Sequence, residues 1–127
     1  MAWRGLALAC FVVTPWPSHA SASARCGLAS EYGRESGHTM ANGRPFHPAV
    51  PTAAMWGPAF GTMVRVTDQR TGRSIVIPIA DRGPNKRVRR LIDLSEGAAR
   101  KLGMRGLANV CVFIVSARAR TLPQSAD

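Results

Sequence analysis

Apolar and polar positions alternate with a period of two in two neighbouring stretches. In "TMVRVTD" (62–68), Thr62, Val64 and Val66 fall on one side and Met63, Arg65 and Thr67 on the other. "RSIVIPIAD" (73–81) follows after the short turn "RTG". Such alternation marks half-buried strands, and two of them around a Gly-containing turn make a β-hairpin. Pro78 brings no N–H to a ladder, so it places the second strand at an edge or on a bulge. A helical period occurs once, in "SEGAARKLG" (95–103), where Ala98, Ala99 and Leu102 share a face. Ser95 is suited to cap that helix, Glu96 and Lys101 complement its dipole, and Gly103 supplies a left-handed stop. "NVCVFIVSA" (109–117) is a continuous apolar, β-branched run that reads as a buried strand, and "GLASEYG" (27–33) is a shorter strand candidate. Residues 34–51, dense in Gly, Pro, Ser and Asn, read as loop. Short strands with one short helix predict a small, mainly β barrel rather than a helical or layered fold.

The first two dozen residues do not fit that pattern. "MAWRGLALACFVVTPWPSHASASA" has a basic start at Arg4, an apolar run from Leu6 to Val13, and small residues offering cleavage after Ala20 or Ala24. This is the layout of a secretory signal peptide, and the run is well short of the ~20 residues of a spanning helix. The expectation is an exported protein, periplasmic or extracellular, with a signal peptide over 1–24, a domain over 25–117 and a flexible tail over 118–127. Cys10 lies within the apolar run and Cys26 follows Arg25, so soluble export is expected rather than lipid anchoring. A remaining length of about 103 residues supports one compact core. Cys26 and Cys111, near opposite ends of that domain in an oxidising compartment, most simply form one disulfide.

Charge narrows the partners. Seventeen Lys and Arg face seven Asp and Glu, a net +10 that favours polyanions and anionic surfaces. Export demotes nucleic acid and leaves cell-wall polymer, with weak contact to an anionic membrane surface also compatible. His38 and His47 stand in a loop-like segment without a companion cluster, so no metal is expected, and no cofactor. A monomer is expected.

The chemistry concentrates where the second hairpin strand stops on Asp81 and turns through Arg82-Gly83-Pro84. "GLASEYG", "TMANGRPF", "TAAMWGPAFGTMVRVTD", "GRSIVIPIADRGP" and "RLIDLSEGAARKLGM" stand in the order and spacing of the RlpA-like domain. The chain therefore resembles the RlpA-like (rare lipoprotein A, septal ring lytic transglycosylase) family from about Gly27 to about Val115. That resemblance implies a six-stranded double-psi β-barrel with a glycan groove across one face. It also implies action on peptidoglycan, cleaving MurNAc–GlcNAc linkages to leave 1,6-anhydro-MurNAc ends.

The family places its chemistry at the acid of an Asn-Gly-Glu loop, at the His of an Ala-Ala-His segment and at the Asp of Asp-Arg-Gly-Pro. Here the loop reads Asn42-Gly43-Arg44 and the segment Ala53-Ala54-Met55, so of the three only Asp81 matches. One carboxyl group suffices in principle for lytic transglycosylation. It protonates the departing oxygen and then takes the proton of the same sugar's 6-hydroxyl, whose proximity is built into the substrate. Apolar Ile77 and Ile79 would desolvate Asp81, whereas Arg82, Arg44 and the run Lys86-Arg87-Val88-Arg89-Arg90 would stabilise its charge. Asp81 is thus the candidate catalytic residue, with Tyr32, Asn42, Arg44 and Arg82 as candidate glycan-binding residues. Asp93 reads as a residue that orients the helix start, and Trp56 as a packing residue or a sugar platform. The rival expectation, favoured by Arg44 and Met55, is a non-catalytic, expansin-like barrel that binds wall glycan.

Overall fold

A computed structural model describes residues 23–116. The signal-peptide reading over 1–24 falls outside these residues except for Ser23 and Ala24, and the tail over 118–127 falls wholly outside. Among the described residues there are six strands, β1 (Arg25–Tyr32), β2 (Ala53–Ala54), β3 (Met63–Asp68), β4 (Ser74–Asp81), β5 (Ile92–Ser95) and β6 (Leu107–Ser116), and one α-helix, α1 (Glu96–Leu102). They close into a barrel in the order β1-β5-β2-β4-β3-β6. The β1/β5 and β2/β4 pairs are parallel and the remainder antiparallel.

The hairpin forms as the alternation requires: Val64 faces Ile77 and Val66 faces Ile75 across β3 and β4. Val64, Val66, Ile77, Ile79, Ile92, Leu94, Val110 and Val112 fill the interior. On α1, Ala98, Ala99 and Leu102 pack into this core, and full burial of Leu102 contributes about 2 kcal/mol. Ser95 caps the helix by accepting the Ala98 N–H, and the same Oγ donates to Val50 O (2.8 Å) and accepts from Thr52 N (3.0 Å). The cap thereby anchors the end of the long loop as well as the helix. Gly103 takes the left-handed conformation at the C-terminus.

Three features depart from the sequence expectations. β5 was hidden within "LIDLS", because four residues feeding a helix are too short to show a period; neighbouring strands on both sides create it. The apolar run of β6 is buried only at Val110 and Val112, while Phe113, Ile114 and Val115 are exposed. Its unbroken apolarity does not reflect two buried faces. Finally, Pro78 is accommodated without an edge, since the barrel has none. Ile79 donates to Thr62 O on the β3 side, so Pro78 turns its nitrogen toward β2, whose pairing with β4 begins only at Ile79.

Immediately beyond, the expected bulge appears. Ala53 pairs with Ile79 and Ala54 with Asp81, so two steps of β4 match one of β2, with Ala80 as the extra residue. Bulges re-aim the side chains that follow them. Regular alternation would have pointed Asp81 inward with Ile77 and Ile79. The bulge turns it to the outer face instead, so those two isoleucines do not enclose it as the sequence suggests.

Candidate active site

The site is built on one rung of the barrel. Asp81 pairs with Ala54, Ala54 with Asp93, and Asp93 with Ser30, so these side chains share the outer face of β4, β2, β5 and β1. Two strand spacings of ~4.8 Å put the backbones of Asp81 and Asp93 about 10 Å apart, with Ala54 on the strand between them. The small Ala54 side chain leaves room for the Gly83 backbone to pass close over Ala54 and Asp93.

The two carboxylates are held differently. Asp81 Oδ1 accepts the backbone N–H groups of Ala41 and Arg82, each at 2.8 Å, and Oδ2 makes no hydrogen bond among the described residues. Asp81 is half-buried. The turn role and the chemical role therefore use different oxygens. Asp93 Oδ1 accepts from Ser30 Oγ and from Arg90 Nε (3.2 Å), the latter an ion pair. Gly83 carries the loop after Asp81 back over this rung; a Cβ placed there would lie 3.7 Å from Asp93 Oδ2 and 3.5 Å from Ala54 Cβ. The Gly83–Pro84 peptide is cis.

Arg82 faces elsewhere. Its Nη1 donates to Met55 O (2.8 Å) and Pro58 O (2.7 Å), and the guanidinium lies 4.1 Å over the Phe60 ring. It fastens the 55–60 segment beneath the Asp81 loop. Asn42 caps its own turn by accepting the Arg44 N–H at 3.0 Å, while Asn42 N donates to the carbonyl of the bulge residue Ala80. The bulge thus aims Asp81 and also tethers the turn that donates to it through Ala41. Arg44 is exposed on this turn. Asn42, Arg44, Phe60, Gly61 and Pro78–Ala80 contribute to the lining of a groove of about 600 Å³ that runs up to the residue before Asp81.

Tyr32 is 9 % exposed and stacks on Phe46, with centroids 4.9 Å apart and planes 14° from parallel. Its ring is packed rather than presented. The hydroxyls of Tyr32 and Thr52 are both buried without a hydrogen-bond partner. Burial pushes the phenol up to about 12; the neighbouring Thr52 hydroxyl pulls the other way, and the charges of Asp81 and Asp93 add to the rise. Tyr32 is therefore a neutral body close to both carboxylates.

Two aromatic and apolar positions complete the picture. Trp56, 43 % exposed, donates from Nε1 to Pro84 O at 2.7 Å, and Lys86 Nζ stands 4.7 Å from the centre of its ring. Met55 is 2 % exposed and packs in the core with Val64 and Val112, at the floor of an open, mainly apolar pocket of about 360 Å³ that Arg25 and Ile114 also line. A thioether suits that environment. Cys26 and Cys111 are disulfide-bonded across the β1/β6 pair.

Of the residues singled out from sequence, Asp81, Asn42 and Arg44 converge on one face, with Arg82 and Tyr32 supporting it from beneath. Sequence reasoning undervalued Asp93 and Ser30. The signal was present in "GLASEYG" and "IDLS", but only the parallel β1/β5 register joins them.

Comparison with known proteins agrees with this architecture. A model of the lytic transglycolase family, a double-psi β-barrel domain, matches residues 24–114. The chain is 54% identical over 83 residues to the Nostoc sp. protein named "Probable endolytic peptidoglycan transglycosylase RlpA", covering 63% of this chain and 22% of that one. It is 41% identical over 91 residues to the endolytic peptidoglycan transglycosylase RlpA of Yersinia pestis, covering 71% of this chain and 25% of the relative. The chain thus spans about a quarter of the length of these relatives. Among solved structures, the Streptomyces papain inhibitor superposes with a TM-score of 0.58 at 23% identity, covering 76% of this chain and 98% of that one. The expansin of Clavibacter michiganensis superposes at 0.57 with 27% identity, covering 76% of this chain and 52% of its own.

Proposed function

The chain belongs to the RlpA-like family of double-psi β-barrels, and from that premise we propose that it is an exported endolytic lytic transglycosylase of peptidoglycan glycan strands. The observation that carries the reading is the rung itself. Asp81 presents an uncommitted Oδ2 on the outer face, and Asp93 stands as a fixed, ion-paired carboxylate two strands away.

The reaction follows from what each group is free to do. Asp81 in its acid form gives its proton to the glycosidic oxygen, and the bond from that oxygen to C1 of MurNAc breaks. The resulting oxocarbenium-like centre carries positive charge, which the Asp93 carboxylate stabilises through space from two strands away. The 6-hydroxyl of the same sugar then attacks C1, and Asp81, now ionised, takes its proton. The ring closes as a 1,6-anhydro end with no water consumed. Arg44 and Asn42 at the groove rim bind the strand, and Arg82 and Tyr32 act by holding the floor of the site.

The packing of Met55 supports a second reading. At the position where the family resemblance implies a His, this barrel buries a thioether and presents no imidazole to the outer face. That favours a barrel that binds wall glycan without cutting it. Mass spectrometry of glycan products decides between the two, with intact sacculi and stem-stripped strands as substrates. Anhydro-MurNAc ends from the wild type, reduced at least ~100-fold in Asp81→Asn, are the expected result for loss of a general acid–base group. Retention on sacculi without anhydro ends establishes the binding barrel instead.

A further inference from the structure

The end of the barrel remote from Asp81 carries a second feature that the glycan reading does not use. The β3–β4 turn, the C-terminus of α1 and the 103–106 loop converge there. Arg70 and Arg105 line a cavity of about 710 Å³, with Leu107 and Asn109 on the same lining. Arg100 and Arg105 line an adjoining one of about 460 Å³. Arg73 donates to Lys101 O at 3.2 Å and lies against Gly103, which joins the turn to the helix end. Arg70, Arg100, Lys101 and Arg105 are exposed and have no ion-pair partner among the described residues.

The acids nearby do not cancel this charge at the tip. Asp68 is buried, with Oδ1 taken by the N–H groups of Arg70 and Thr71. Glu31 and Glu96 line the adjoining cavity with Arg100 and Arg105, two acids against the four cations of this end. Among these cations Leu107 is 59 % exposed, the most solvent-accessible large apolar residue among the described residues. Cations around a projecting apolar side chain match the two layers of a lipid interface, headgroup phosphates outside and acyl chains within.

We propose that this end of the barrel docks on an anionic phospholipid membrane. Arg70, Arg105 and the helix-end pair Arg100–Lys101 meet the phosphates, and Leu107 reaches the acyl boundary. β4 begins at this end and finishes on Asp81, and its eight residues at ~3.3 Å each place Asp81 roughly 23 Å from the β3–β4 turn, while Leu107 stands across the β1/β6 pair from Ser30 at the near end of the rung. A docked barrel therefore keeps Asp81 and the groove beside Pro78–Ala80 at the end of β4 away from the lipid.

Co-sedimentation of the purified chain with vesicles tests this. One set contains phosphatidylglycerol and phosphatidylcholine in equal parts, the other phosphatidylcholine alone. The anionic vesicles should bind at least about tenfold more tightly, and the difference should shrink as salt rises and the Debye length falls. Replacing Arg70, Arg100, Lys101 and Arg105 together by Gln should cost tenfold or more at about a few-fold per cation, and Leu107→Ser about a few-fold more. Arg87→Gln/Arg89→Gln, which removes two charges that line neither cationic cavity, should leave vesicle binding within about twofold. Equal binding to both vesicle types overturns the proposal, as does an equal loss in the Arg87→Gln/Arg89→Gln variant. Should the fourfold variant melt early, Arg70→Gln and Arg105→Gln singly carry the test, each expected to lose about threefold on anionic vesicles only.

Discussion

Tyr32 shows how a single residue is set by its surroundings. It is the only tyrosine in the chain, so the phenolate absorbance band reports it without overlap. An unfolded phenol ionises near 10.0 and the folded one at about 12, because burial penalises its anion. The stabilisation is complete below pH 10 and is lost as pH rises toward 12, a loss of about 2–3 kcal/mol in denaturant titrations. Tyr32→Phe should remove that alkaline sensitivity. It should also change stability at pH 7 by no more than about 1 kcal/mol, because among the described residues the Thr52 hydroxyl is the sole side-chain group acting on the phenol by hydrogen bonding and the contact is poorly aligned. A marked loss at pH 7 would show that the hydroxyl has a partner in solution. At this scale the sequence was informative about Asp81, which the Asp-Arg-Gly-Pro turn isolates at a strand end. It read Asp93 only as a residue orienting the helix start, because its place on the rung with Asp81 depends on β2 pairing with both β4 and β5. It also misjudged the isoleucines near Asp81, since a one-residue bulge exchanges the faces of a strand.

Among the elements, α1 was legible in full: cap, apolar face and left-handed stop are local properties of nine residues. Gly97 within it was not. Helix propensity alone predicts that Gly97→Ala gains about 1 kcal/mol. The structure reverses the sign, because Gly97 N donates to Pro48 O at 2.8 Å and a Cβ on Gly97 would drive into the Ala49 carbonyl. Backbone cannot yield as a flexible side chain does, so Gly97→Ala should destabilise by about 1–3 kcal/mol in thermal or urea unfolding. A rise in stability would mean that the 45–51 segment moves freely. β5 was illegible for a related reason: four residues become a strand only because β1 and β2 lie on either side. β6 misled in the opposite sense, its apolar run promising two buried faces where the barrel provides one.

For the whole molecule, closure is the controlling fact. β1 and β6 seal the barrel, and the Cys26–Cys111 bridge crosses that seam with a sequence separation of 85 residues. Freeing a loop of that length in the unfolded chain costs about 4–5 kcal/mol in the chain-entropy model. Cys26→Ser/Cys111→Ser should therefore lower the melting temperature by about 20 °C or more, with the folded circular dichroism spectrum retained at low temperature. A shift of only a few degrees would show that strand pairing holds the seam without the bridge. The sequence by itself determined the hairpin, the helix with its caps, the cationic character and the family motifs. Each of these depends on residues close together along the chain or on composition. Only the tertiary structure decided that Asp81 faces outward, that Asp93 and Ser30 complete its rung, that Met55 lies inside, and that Arg70, Arg105 and Leu107 share one end of the barrel. Those outcomes depend on strand order, register and a single bulge, where a shift of one residue moves a side chain to the opposite face.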